Sequence, residues 1–240
     1  MFATHLSRIF SFMFVFSMAG SAFAASIPEK SFNAPHNMKL SVKEIGPVTQ
    51  NADLQIILLL KHNSNGDQYI EAMSDFNQKL GKLLSSLRER GEFVGELGET
   101  LLFTPPAHSI TPKKVLLIGI GDEKDLSLEK LRVAGRIAAR EAVRLQAKQV
   151  SFAPTLRDQG SNVIDVGDGD AAVSEQVILA YDTEKRLQAE KLAPQFDIKE
   201  WTIEAGPKYF DAAATKVGEA VKSATAEIEK REKKPYMSKN

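Results

Sequence analysis

The chain of 240 residues contains no cysteine. That absence removes disulfides, thiolate metal ligands, a cysteine nucleophile and a lipid-modified N-terminal cysteine together. Net charge is also missing: Lys plus Arg and Asp plus Glu each number 31. No overall field therefore draws the chain to nucleic acid or to an anionic membrane. No apolar run reaches the roughly 20 residues that a spanning helix needs. Hydrolytic signatures are absent as well. His36, His62 and His108 stand far apart in turn-forming surroundings, no H-x-x-x-H or H-E-x-x-H spacing occurs, and there is no G-x-S-x-G elbow. What is there, 43% hydrophobic and 26% charged residues, is the composition of an ordinary globular chain of one or two domains.

Arg8 precedes the apolar stretch from Ile9 to Met18, and Ala22-Phe23-Ala24 supplies small residues on the near side of a cleavage point. A basic residue, a short apolar stretch and an A-x-A triplet, in that order, predict a secretory signal peptide over residues 1–24. The expected product is an exported protein, periplasmic or secreted, whose stability comes from its core.

Residues 25–37 hold Pro28, Pro35 and small polar side chains and are predicted as a flexible leader. An early strand follows from Met38. Asp53 to Leu60 is almost continuously apolar, which suits a strand buried on both faces. Tyr69, Met73, Phe76, Leu80, Leu83 and Leu87 recur at helical spacing, with Gly91 as the stop. A short strand pair is expected around Phe93 and Leu101–Phe103, then a second buried strand from Lys114 to Gly121. Leu128, Leu131, Ala134, Ala138, Ala142 and Leu145 mark the inner face of another helix. A strand at 149–153, a Gly/Asp-rich loop at 158–170, a helix from about Ala171 to Leu192, a strand at 198–203 and a helix from Tyr209 complete the series. Residues 227–240 read as a charged tail in solvent. Strands alternating with helices of this length predict an α/β sandwich on a largely parallel sheet.

Three segments carry a family resemblance. They are Val115 to Asp122 followed by Leu126-Ser127-Leu128-Glu129-Lys130-Leu131-Arg132 and the Ala-rich helix Ala134–Ala142; the turn Gly91-Glu92-Phe93-Val94-Gly95-Glu96; and Ser174 to Asp182, with its Ala180-Tyr181-Asp182 end. Their order and spacing over residues 38–226 resemble the N-terminal domain of leucyl (cytosol) aminopeptidases. The resemblance implies a three-layer α/β/α, macro-domain-like fold. In that family two catalytic metals and a bicarbonate-binding arginine belong to a C-terminal domain. Its lysine-and-aspartate metal motif and its Asn-Thr-Asp-Ala-Glu-Gly-Arg segment do not occur in this sequence. No catalytic residue carries over, and no metal or cofactor is expected. The implied role is a non-catalytic module for protein interaction, assembly or regulation, with a protein partner or self-association. A regulatory subunit of a separately encoded aminopeptidase is an alternative.

Two features of the sequence invite a ligand. Gly119-Ile120-Gly121-Asp122, between a strand and a helix, is the candidate phosphate-binding turn, because glycines let backbone N–H groups approach an anion. It would serve a nucleotide or ADP-ribose type of small molecule. Against this, position 124 is Lys where G-x-G-x-x-G needs glycine, and Asp122, Glu123 and Asp125 would repel phosphate. A tight strand-to-helix turn is the plainer reading. The acidic run Asp165, Asp168 and Asp170 departs from calcium-loop spacing and is expected to be a solvated turn with Asp170 capping the next helix.

Overall fold

The computed structural model describes residues 26–237, and the predicted signal peptide lies outside the described residues. In chain order come β1 (Glu29–Ala34), β2 (Met38–Lys43), β3 (Leu54–Leu59), α1 (Glu71–Lys79), α2 (Leu83–Glu89), β4 (Thr100–Phe103), β5 (Val115–Gly119), α3 (Leu128–Arg144), β6 (Gln149–Ala153), α4 (Val166–Ala189), β7 (Glu200–Glu204) and α5 (Phe210–Lys230). The strands make one sheet in the order β1-β2-β7-β6-β3-β5-β4. The five inner strands are parallel, and each edge strand is antiparallel to its neighbour.

The unbroken apolar run of β3 is explained by helices on both faces. Leu54, Ile56 and Leu58 point into a large core shared with α3, α4 and α5. Ile57 and Leu59 face a smaller core with Met73 and Phe76 of α1, Leu84 of α2 and Phe93. This is the expected three-layer arrangement, with one asymmetry. The connection from β2 to β3, residues 44–53, must pass over β7 and β6, and it does so without a helix. Val48 on this crossing packs against the smaller core, and its carbonyl accepts from the Thr111 amide at 2.9 Å. Beneath it the sheet face is polar but buried, with Ser41, Gln55, Ser151, Thr202 and Glu204.

Five local expectations are corrected. The leader contains β1: Ser31 and Phe32 alternate, and Phe32 lies against α5, where a Cβ on Gly218 would stand 2.8 Å from its ring. Pro28 and Pro35 flank that strand rather than dissolve it. The long helix from Tyr69 is two, because Gly81 and Lys82 both take left-handed backbone (φ 64° and 63°) and Asn77 accepts from the Ser85 amide across the break. Phe93 is a buried plug in irregular chain and pairs with no strand. The Gly/Asp-rich stretch is helical from Val166, capped by Asp165, whose carboxylate accepts from the Asp168 amide at 3.2 Å. Its glycines serve close approach: a Cβ on Gly167 would meet the Ala212 carbonyl of α5 at 3.1 Å. Finally, the charged tail is tied down. Arg231 donates to Asp182 of α4 at 2.7 Å and to the Leu179 carbonyl at 3.0 Å. Asp182 also meets His36 at 2.8 Å, so one buried carboxylate joins both ends of the described chain. No described helix is long and apolar enough to cross a membrane.

Candidate functional site

The Gly119-Asp122 turn is filled by the protein itself. The Gly119 amide donates to the Glu99 carbonyl at 2.8 Å, the Gly98 amide to the Gly119 carbonyl at 2.9 Å, and the Gly121 amide to the Gly95 carbonyl at 2.9 Å. A Cβ on Gly119 would sit 2.1 Å from the Glu96 carbonyl oxygen. The donors that a phosphate would need are thus already engaged, and the glycine is there for backbone contact. The loop they hold, residues 94–99, is itself closed by the Glu99 carboxylate, which accepts from the amides of Val94, Gly95 and Glu96. Asp122 caps a short turn by accepting from the Lys124 amide at 3.3 Å, and this contact, with the Lys124 side chain, holds its carboxyl below the usual range. Helix α3 starts several residues later, capped by Ser127. Replacing Gly119 by alanine is expected to destabilise the fold by about 3 kcal/mol, since backbone rather than a movable side chain must yield. Urea unfolding checks this; a loss under 0.5 kcal/mol, an ordinary surface effect, would show that the loop shifts freely.

Beside this turn, a polar hollow of about 530 Å³ is lined by Lys61, His62, Asn63, Asp67, Asp122 and Gln159, among others. Two of these, His62 and Asp67, belong to a network around Arg88, whose side chain is 1% exposed. Arg88 donates to the Leu60 carbonyl at 2.8 Å and to Asp67 at 3.2 Å, and Asp67 also accepts from Tyr69 and meets His62 at 2.9 Å. Burial alone would push the Asp67 carboxyl up, but Arg88, the Asn63 amide and His62 outweigh it and bring it down to about 2.

A second, more apolar cavity lies elsewhere, at the C-terminal ends of the inner strands. The chain leaves β3 toward α1 on one face of the sheet and leaves β6 toward α4 on the other. Adjacent parallel strands whose connections diverge in this way leave a crevice between them. The crevice has a volume of about 370 Å³ and continues past the ends of β7 and β2. Leu58, Leu131, Ala153, Leu156 and Val173 give it apolar walls. Glu204, at the end of β7, accepts from the Ser151 hydroxyl at 2.6 Å through Oε1, while Oε2 has no partner among the described residues. Burial pushes this carboxyl up to about 7. Asp158, in the loop after β6, is raised to about 6 by burial and by the neighbouring Glu71. Asp170 is buried in the second turn of α4, where burial and Asp165 raise it well above the carboxylate range. Arg157 also lines the cavity, but donates to the Ser161 and Ile164 carbonyls at 2.6 and 2.8 Å.

The candidate turn of the sequence analysis, Gly119–Asp122, follows β5, one strand away from this cavity. The cavity walls come from residues 44–47, 153–158, 165–173 and 204–209; of these only the acidic run from Asp165 to Asp170 stood out in the sequence, and only the strand order brings the rest to it. Among the described residues no three His, Asp or Glu side chains converge as a metal site would require.

A sequence model of the cytosol aminopeptidase family, N-terminal domain, matches residues 57–191. A probable cytosol aminopeptidase of Thermosynechococcus vestitus is 34% identical over 49% of this chain and 23% of its own length. Another, from Halorhodospira halophila, is 28% identical over 62% of this chain and 29% of its own. The chain thus spans about a quarter of the length of these relatives. Among solved structures, a tomato leucine aminopeptidase variant superposes with a TM-score of 0.57 at 17% identity, over 77% of this chain and 35% of that one. The Oceanobacillus iheyensis macrodomain with ADP gives 0.58 at 13% identity, over 85% of this chain and all of the other. At such identities the likeness concerns the fold, which is macro-domain-like. Because the family's N-terminal-domain model accounts for more than half of its residues, this chain belongs to the cytosol aminopeptidase family by way of that domain.

Proposed function

We propose that this chain acts by binding rather than by catalysis: an exported aminopeptidase N-terminal-type domain that takes a small molecule in the cavity at its strand ends and passes occupancy on to a protein partner. The observation that carries this reading is the cavity itself, a mostly apolar cleft with a few polar groups, at the low end of the volumes that ligand sites occupy. The match to the N-terminal domain of the family supports a role in regulation or assembly. The basic-apolar-small order of residues 1–24 supports export.

Gly206 provides the test, because its nearest neighbour to an added Cβ is Tyr209 Cδ2 at 4.0 Å and a side chain there would close the mouth without a backbone clash. A panel of small molecules screened by thermal unfolding is expected to give saturable stabilisation that Gly206→Trp abolishes while leaving the ligand-free Tm unchanged. Hydrolysis of leucyl amides at an enzyme-like rate with Mn²⁺ or Zn²⁺ by the purified protein would overturn the non-catalytic reading. Recovery of the chain only from the cytoplasmic fraction of expressing cells, with residues 1–24 retained, would overturn export.

A further inference from the structure

We propose that the ligand of this cavity is an organic cation, a small apolar body carrying an ammonium group. The inference rests on the reading of the cavity as a ligand site and adds the sign of its occupant. Six carboxyl groups line the space: Glu44, Glu71, Asp158, Asp165, Asp170 and Glu204. The one lining cation, Arg157, already has its donors on two backbone carbonyls. Lys208 stands nearby, but its ammonium lies 5.2 Å from the Tyr209 ring centroid and outside the lining.

Most of these acids have free acceptor capacity. Asp165 caps α4 and Glu204 has one oxygen on Ser151. Asp170 Oδ2 and Glu204 Oε2 are buried with no partner among the described residues, on side chains that are 1% and 6% exposed. A buried acceptor left without a donor is costly, so a donor that enters with positive charge is favoured twice. A nucleotide would be disfavoured for the same reason, because its phosphates would enter a space lined by carboxylates. A divalent metal does not fit either, since no three of the carboxyls converge on one point. Apolar walls with unmet acceptors at one side match a ligand with a hydrocarbon body and a single ammonium.

Burial is what chiefly holds Asp158, Glu204 and Asp170 back from ionising, and neighbouring acids add to it: Glu71 at Asp158, Asp158 at Glu204 and Asp165 at Asp170. A cation would favour their charged forms, so its binding should release protons near neutral pH, where Asp158 and Glu204 titrate. A purely structural acidic cluster would give no such signal.

The experiment is calorimetry on the full chain with one hydrocarbon body and three heads: hexylamine, hexanol and hexanoate, with ADP-ribose as a fourth probe. Hexylamine is expected to bind saturably and about tenfold or more tighter than hexanol, with no heat from hexanoate or ADP-ribose. Buffers of different ionisation enthalpy should show net proton release at pH 7. Asp158→Asn, or Glu71→Gln on the exposed side of the same pair, should weaken hexylamine about tenfold and leave hexanol unchanged. Hexanoate, hexanol or ADP-ribose binding as tightly as the amine, and blocked by Gly206→Trp, would overturn the cation while upholding the ligand site. Amine binding that Gly206→Trp leaves intact would place it on the surface and overturn the inference. No binding by any of the four to folded protein would overturn the inference and the ligand site together.

Discussion

Asp67→Asn is expected to lower stability by about 3 kcal/mol or more at pH 7. Arg88 is almost fully enclosed, and Asp67 is the carboxylate that neutralises it while also taking the Tyr69 hydroxyl. Removing one member of a buried pair leaves the other charge uncompensated, and the penalty is typically about 3–5 kcal/mol. The amide fills the same volume, so lost charge rather than a cavity is what the experiment reads. A sign follows for acid. The Asp67 carboxyl is depressed in the folded chain to about 2 from its ordinary 3.8. Its contribution is therefore present above the unfolded value and lost as pH falls from 3.8 toward 2. Urea unfolding at pH 7 and pH 2.5 should show a large deficit at the first and a much smaller one at the second. Equal deficits at both would mean that Arg88 is neutralised by some other group.

Glu204→Gln should move stability the other way. The Glu204 carboxyl is raised by burial from 4.5 to about 7. Between those values the native state keeps a proton that the unfolded chain has released, so stability falls as pH rises through that window. The shift corresponds to about 3 kcal/mol between pH 4 and pH 8. Glutamine cannot ionise and can still accept from Ser151. The variant should therefore lack this decline, and its stability relative to wild type should rise by about 3 kcal/mol from pH 4 to pH 8. Taking the difference between two pH values cancels any misfit of the amide itself. A relative stability that stays constant over that range would mean that Glu204 titrates as an exposed glutamate does.

Sequence patterns located the elements with the strongest periodicity. Leu54–Leu59 and Val115–Gly119 were legible as inner strands because a strand covered on both faces has no polar positions to alternate with. Glycine misled in two places, for one reason. At Gly119 and Gly167 it permits backbone and side chains from other elements to come close, whereas a sequence shows only that a bulky residue is missing. A Gly-x-Gly turn thus looked like a ligand cradle, and a capped helix looked like a loop. The β1 strand was hidden by its flanking prolines, and its pairing with β2 depends on a partner rather than on its own composition. The cavity had one local signature, the acidic run Asp165–Asp170 on its α4 wall, which in the sequence alone looks like a solvated turn. Glu44, Asp158 and Glu204 are each unremarkable in their own segments, and they share a space only because β2, β6 and β7 end side by side. Their burial, the property that alters their chemistry, belongs to the strand order.

The pairing of β2 with β7 joins Lys39 to Glu200, 161 positions apart along the chain. Closing a loop of that length before any reward from contact makes nucleation slow, and parallel pairing has no hairpin to shortcut it. Of the described strands, β1 and β2 come first in the chain, and the edge of β2 that faces away from β1 is paired only once β7 is in place. Until then, Leu40 and Val42 have no neighbouring strand to cover them on that side. A chain that stops short of β7 is therefore expected to remain unfolded in this half of the sheet. β7 is also one of the strands whose ends frame the acidic cavity, so that cavity is completed only with the final strand.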